Sequence, residues 1–224
     1  MDRRTYLATA GLTLTTSMAG CLGALGDSHP NTYLAPPDRS VDGDKLPFPT
    51  YGDPVPDVTL PAVLHDTTVT TTGFDRHLVM TFVYTHCKTI CPVLTSVLRN
   101  IQTDASNEGY ADEVAFLETT FDPVRDTADR FRVYAEQEHI DLNAGNWYFL
   151  RPKTEKRAKS VVEDKFGVHY EKTHPKNMDM YMYNHLGLIL LVNKDGYVER
   201  AYSGSAPHWQ SIRDDLTTLR KKSE

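Results

Sequence analysis

Leu78-Val79-Met80-Thr81-Phe82-Val83-Tyr84, running directly into Thr85-His86-Cys87-Lys88-Thr89-Ile90-Cys91-Pro92, is the stretch on which the reading of this chain turns. The first part is apolar apart from one threonine and predicts a buried strand. The segment Val93 to Ala105 that follows is compatible with a helix. Cys87 and Cys91 therefore stand at a strand-to-helix turn. A helix N-terminus carries partial positive charge and unpaired N–H groups, which favour thiolate over thiol. A thiolate is both the nucleophile of disulfide chemistry and a soft ligand for copper(I). A purely structural disulfide is a poor reading, because so small a loop yields little closure entropy.

Upstream of this stretch the chain reads as leader and tether. Arg3-Arg4 precedes a moderately apolar region, Leu7 to Gly20, that is too short to span a bilayer. Ser17-Met18-Ala19-Gly20-Cys21 resembles a lipobox, so residues 1–21 are expected to be a twin-arginine lipoprotein signal with the lipid on Cys21. That places the domain on the extracytoplasmic face of the cell membrane, held by a lipid. Of three cysteines, only Cys87 and Cys91 then remain for chemistry. Residues 22–56 hold Pro30, Pro36, Pro37, Pro47, Pro49, Pro54 and Pro56 and are expected to form a tether, leaving 57–224 as the domain. The 30 acidic against 24 basic residues, net −6, argue against nucleic acid as a partner.

Downstream, strands and helices alternate. Val55–Leu60 predicts a short edge strand, and 67–70 another strand or a hairpin arm. Strands are expected at 114–120 and 147–150, with a helix from Asp126 or Thr127 to about His139 between them. A second helix is expected from Thr154 to Phe166, stopping at Gly167. Leu186 to Val192 predicts a strand buried on both faces. Asn193-Lys194-Asp195-Gly196 then turns the chain back through Tyr197–Tyr202, and His208–Lys221 closes it as an amphipathic helix. This order predicts an α/β fold with a central mixed sheet flanked by helices. The thiols at the first central strand-to-helix turn make it thioredoxin-like.

Three segments together resemble the Sco/SenC family: Thr85 to Pro92, Phe121-Asp122-Pro123-Val124-Arg125-Asp126-Thr127, and the lone His185. The resemblance covers roughly residues 55–220. It implies a thioredoxin-like domain that binds one copper ion through Cys87, Cys91 and His185. It also implies a role in assembling the binuclear copper centre of cytochrome c oxidase, with the copper-bearing subunit as partner. Two thiolates and one imidazole suit copper(I), and the three-residue gap between the cysteines, wider than the two of thioredoxin-type motifs, lets both sulfurs face one ion. His86, His169 and His174 are rival histidines. Asn184 stands where the family often has an acidic residue, which bears on how tightly the metal is held. Arg125, between two aspartates, is expected to pin its loop through charge-assisted hydrogen bonds. Met178, Met180 and Met182 are expected to pack rather than ligate. The alternative function is a thiol–disulfide oxidoreductase in which Cys87 attacks and Cys91 resolves.

Overall fold

The structure is a computed structural model that describes residues 29–38, 41–176 and 178–223. The chain divides into two units, 1–30 and 31–224, and of the first only His29 and Pro30 are described. The expected signal, the lipid-bearing Cys21 and the start of the tether lie outside the described residues.

The second unit is built on a seven-stranded mixed sheet. Its strands are β1 (Thr59–Ala62), β2 (Thr67–Thr70), β3 (His77–Val83), β4 (Val114–Thr120), β5 (Trp147–Leu150), β8 (Leu188–Val192) and β9 (Val198–Ser203). They lie in the order β2-β1-β5-β4-β3-β8-β9, with β3, β4 and β5 parallel and the remaining pairings antiparallel. This is the thioredoxin-like fold. A separate two-stranded sheet pairs β6 (Tyr170–Thr173) with β7 (Met182–His185).

Every residue of β3 and β4 is buried, because each face of the sheet carries its own core. Leu78, Met80 and Phe82 pack on one face with Val161, Val162 and Phe166, whereas Val79, between them, packs on the other. The period of two places them so. On that other face lies α1 (Ile90–Glu108), whose Leu94, Val97, Leu98, Ile101 and Ala105 recur at helical spacing and are buried. With it pack α2 (Ala128–Gln137) and α4 (Trp209–Lys222). Thr127 caps α2 by accepting the Arg130 N–H at 3.2 Å. The region expected as one helix from Thr154 opens as α3 (Glu155–Ala158) and widens into a π-helical stretch, Lys159–Lys165.

Two expectations are corrected. The strand near Leu60 is not the sheet edge, since β2 lies outside it. The proline-rich stretch is, from Asn31 on, part of the packed unit rather than a free tether. Leu34, Phe48, Tyr51 and Val55 are buried between its prolines. Glu199, fully buried on β9, accepts the N–H groups of Tyr33 at 2.8 Å and Leu34 at 3.0 Å. Gly52 donates to the Val198 carbonyl and Val55 to that of Gly196. Prolines lack an N–H to leave unpaired, and an extended strap suits them. At Gly167, with φ +66°, a side chain would run into the Pro47 carbonyl of this strap, which is why the helix must end in glycine there. Among the described residues, no helix is long and apolar enough to cross a membrane.

Candidate metal centre

The end of β3 delivers the chain to a turn closed by the Cys87 N–H donating to the Tyr84 carbonyl at 3.1 Å. Helix α1 then begins at Ile90, with Cys91 in its first turn. Thr89, the residue before the helix, makes no side-chain cap. The Cys87 sulfur acts in its place, accepting the Cys91 N–H at 3.4 Å, and the Thr89 hydroxyl lies 3.5 Å from the same sulfur. One of the orphan amides of the helix start is thus spent on sulfur, as the sequence argument anticipates.

His185 comes from the far end of β7. Strand β8 is antiparallel to β3, so its first residues stand beside the end of β3, near the thiols. The chain breaks strand at Leu186-Gly187 before β8, so His185 belongs to the small sheet and not to the apolar strand that follows. Gly187 makes this approach possible. A β-carbon there would sit 2.3 Å from the Gly204 carbonyl oxygen and 2.4 Å from Ile90 Cδ1 on α1. His185 Nε2 lies 3.2 Å from the Cys91 sulfur, and Nδ1 lies 3.1 Å from the Leu186 carbonyl. A proton on Nδ1 satisfies that carbonyl and leaves the Nε2 lone pair facing the thiols.

The two sulfurs and a ring nitrogen of His185 all lie within 4.8 Å of one another. Both cysteines are free thiols and buried, and His185 is half-buried. The Cys91 thiol, above all, holds Cys87 far below the ordinary thiol range by hydrogen bonding to it; His185, the Thr89 hydroxyl and the Cys91 N–H act the same way against burial. Burial first, then the neighbouring Cys87, pushes Cys91 well up. Of the two sulfurs, Cys87 is thus the one held toward thiolate. Two sulfurs and one imidazole make a donor set for a soft, low-coordinate cation.

The rival histidines are elsewhere. His86 turns to Asp126, with Nδ1 3.8 Å from Oδ1; His169 pairs with Glu163 at 2.5 Å; the His174 ring lies tilted 6.2 Å from that of Tyr181. Asn184 is exposed, on the side of β7 opposite His185, and its register partner is Glu171. Met178 and Met180 are exposed rather than packed, while Met182 packs on the core.

Arg125 pins the Phe121–Thr127 loop as expected, though the charges of the loop divide the work. Arg125 donates to Asp122 at 2.5 Å and to the Tyr181 carbonyl at 2.9 Å, with its guanidinium 3.6 Å from the Tyr181 ring. Asp122 also accepts the Tyr181 hydroxyl at 2.9 Å. Asp126, fully buried, instead accepts the hydroxyls of Thr85 and Thr120 and the Thr85 N–H. One aspartate ties the loop to the histidine hairpin, the other to the cysteine turn. The aromatic wall of the site was not anticipated. Phe121 lies 5.0 Å and Tyr84 6.1 Å from the His185 ring, and the Tyr183 N–H donates to the Tyr84 hydroxyl at 3.2 Å. The alternation Tyr181, Tyr183, His185 was its only signal in the sequence.

Compared with known proteins, the chain matches the SCO1/SenC family over residues 64–220. It is 26% identical over 135 residues to the SCO1 protein homolog of Bacillus subtilis (strain 168), which is 59% of this chain and 66% of that protein, just under two thirds of its length. Among solved structures, Arabidopsis thaliana ScoI with copper bound superposes with a TM-score of 0.62 at 22% identity, covering 75% of this chain and 99% of that one. BsSco, described as a Sco-family cytochrome c oxidase assembly protein with a disulfide switch, gives 0.59 at 20% identity, covering 77% and 95%.

Proposed function

The chain belongs to the SCO1/SenC family, and from that premise we propose that it is a copper chaperone. It binds one copper ion through Cys87, Cys91 and His185 and hands it to the copper-bearing subunit of cytochrome c oxidase during assembly of the binuclear copper centre. The observation that carries this reading is the convergence of two sulfurs and one imidazole nitrogen within 4.8 Å. That ScoI of Arabidopsis holds copper, and that BsSco is an oxidase assembly protein, supports it. Loading requires both sulfurs as thiolates, so it displaces the proton held by Cys91 and needs the reduced pair. A three-donor site leaves the ion open to an incoming sulfur or nitrogen of the receiving protein, and transfer proceeds by ligand exchange.

In this reading residues 1–21 export the chain and Cys21 carries the lipid, so the domain works at the extracytoplasmic membrane surface. The linker is then shorter than residues 22–56, because the packed unit already begins at Asn31.

The test is copper(I) titration of the reduced protein beside His185→Ala. One copper bound, and sharply weaker binding by the variant, is the expected outcome; no binding by the reduced protein would overturn the reading.

The asymmetry of the two thiols favours a second activity, reduction of a disulfide in the target. The Cys87 thiolate attacks one target sulfur and expels the other as a thiolate, forming a mixed disulfide. Cys91 then gives up its proton and displaces the target sulfur, leaving Cys87–Cys91 oxidised and the target with two thiols. Reduction that persists in His185→Ala would identify this activity, since the imidazole makes and breaks no bond in the exchange.

A further inference from the structure

Behind His185 lies a hollow of about 390 Å³. Its floor is aromatic: Phe121 and Tyr183 are buried and Tyr170 is half-buried. Phe121 stacks on Tyr170 at 4.7 Å and meets the His185 ring at 5.0 Å, so one side chain is shared between the hollow and the metal centre. The rim is exposed and basic, with Lys156, Lys159 and Lys172 around the single carboxylate of Glu155. Glu155 is already engaged by Lys172 at 2.7 Å, and Lys159 lies 3.6 Å from Glu163; Lys156 has no carboxylate partner among the described residues. In a chain of net charge −6, the rim carries three lysines against Glu155, with Glu163 beside Lys159, around an apolar cavity.

We propose that this hollow is the docking face for an acidic segment of the protein that receives the metal, which seats one apolar side chain between Phe121, Tyr170 and Tyr183 while its carboxylates meet Lys156 and Lys159. The proposal rests on the chaperone reading. The charge of the rim selects an acidic partner and speeds encounter. The concave floor selects a side chain over a flat lipid surface, and a desolvated apolar anchor within a charged ring is the usual centre of binding energy. Sharing Phe121 with His185 brings the occupant within reach of the metal, which a transfer partner needs and a second copy of this chain does not.

The experiment uses the reduced protein with the soluble copper-bearing domain of the oxidase subunit as probe, comparing wild type with the double charge reversal Lys156→Glu, Lys159→Glu. Both lysines are exposed, so the fold is kept. The wild type is expected to bind, more weakly as salt rises, and the variant about tenfold more weakly, while copper(I) stoichiometry measured on the same samples stays at the wild-type value. Absence of a complex with the wild type, or a complex indifferent to the reversal, overturns the docking face. So does self-association, or binding to phosphatidylglycerol vesicles in place of the oxidase domain, that the reversal abolishes. The copper titration reports separately on the chaperone reading, because neither lysine touches the ligands.

Discussion

Glu118 stands within β4 fully buried; its Oε1 accepts the Thr95 hydroxyl at 2.6 Å, and its Oε2 has no partner among the described residues. Thr95 is shared with the Tyr134 hydroxyl at 2.8 Å, so a small polar network sits beneath the helix that carries Cys91. Burial raises the carboxyl to about 8, against a lowering contribution from Thr95. The folded state therefore keeps its proton after the unfolded chain has lost it. Stability is unaffected below the unfolded value near 4.5, falls as pH rises from there to about 8, and is level beyond. The slope is on the order of 1.4 kcal/mol per pH unit. Glu118→Gln should melt higher than wild type at pH 8 and nearly with it at pH 4, by thermal unfolding; an unchanged gap across that range would refute the buried proton. His77 has the opposite sign. Burial lowers it to about 4, so its contribution is complete above 6.5 and is lost as pH falls to 4. The run 114–120 was legible as a strand, but a lone carboxylate in such a run does not say that both faces will be covered.

At the scale of elements, the thiol turn, β4 and β5 were read with correct or nearly correct bounds, because long apolar runs and an adjacent helix leave one solution. The β6–β7 hairpin was not read as such. Tyr170-Glu171-Lys172-Thr173 and Met182-Tyr183-Asn184-His185 are half-exposed and polar on one side, so no apolar run announces them. That His185 stands near the thiols is nonetheless what the resemblance implies, without the element that holds it. What orients that element is Arg125, which reaches across to the Tyr181 carbonyl and ring. Arg125→Met keeps much of the packing and removes the hydrogen bonds. It should leave copper stoichiometry at one while lowering affinity about tenfold, as measured by competition titration; unchanged affinity would show that the hairpin is positioned without it. Gly187→Ala tests the same placement from the other side. The added methyl collides with the Gly204 carbonyl and Ile90, and should cost about 1–3 kcal/mol of stability in denaturant unfolding.

Across the whole molecule, the difference between expectation and structure is where the domain starts. Prolines and glycines in residues 22–56 suggest a free linker by composition, but composition does not reveal that Leu34, Phe48, Tyr51 and Val55 have a surface to cover. A chain beginning at Asn31 should unfold in one cooperative transition, whereas one beginning at Asp57 should melt lower by about 4–8 °C or more in calorimetry, because it strips buried apolar groups and leaves Glu199 without its two backbone donors. Equal melting temperatures would return the strap to the status of a linker. The candidate metal centre takes its proposed ligands from two bodies of unequal size. Both sulfurs stand where the seven-stranded sheet passes into its main helix, Cys87 in the turn and Cys91 in the first helical turn, and the imidazole belongs to a ribbon of two four-residue strands. On the chaperone reading, the grip on the cargo resembles a jaw with one broad side and one slight one. On that reading, letting the cargo go disturbs a short two-stranded ribbon and leaves the seven-stranded sheet as it stands.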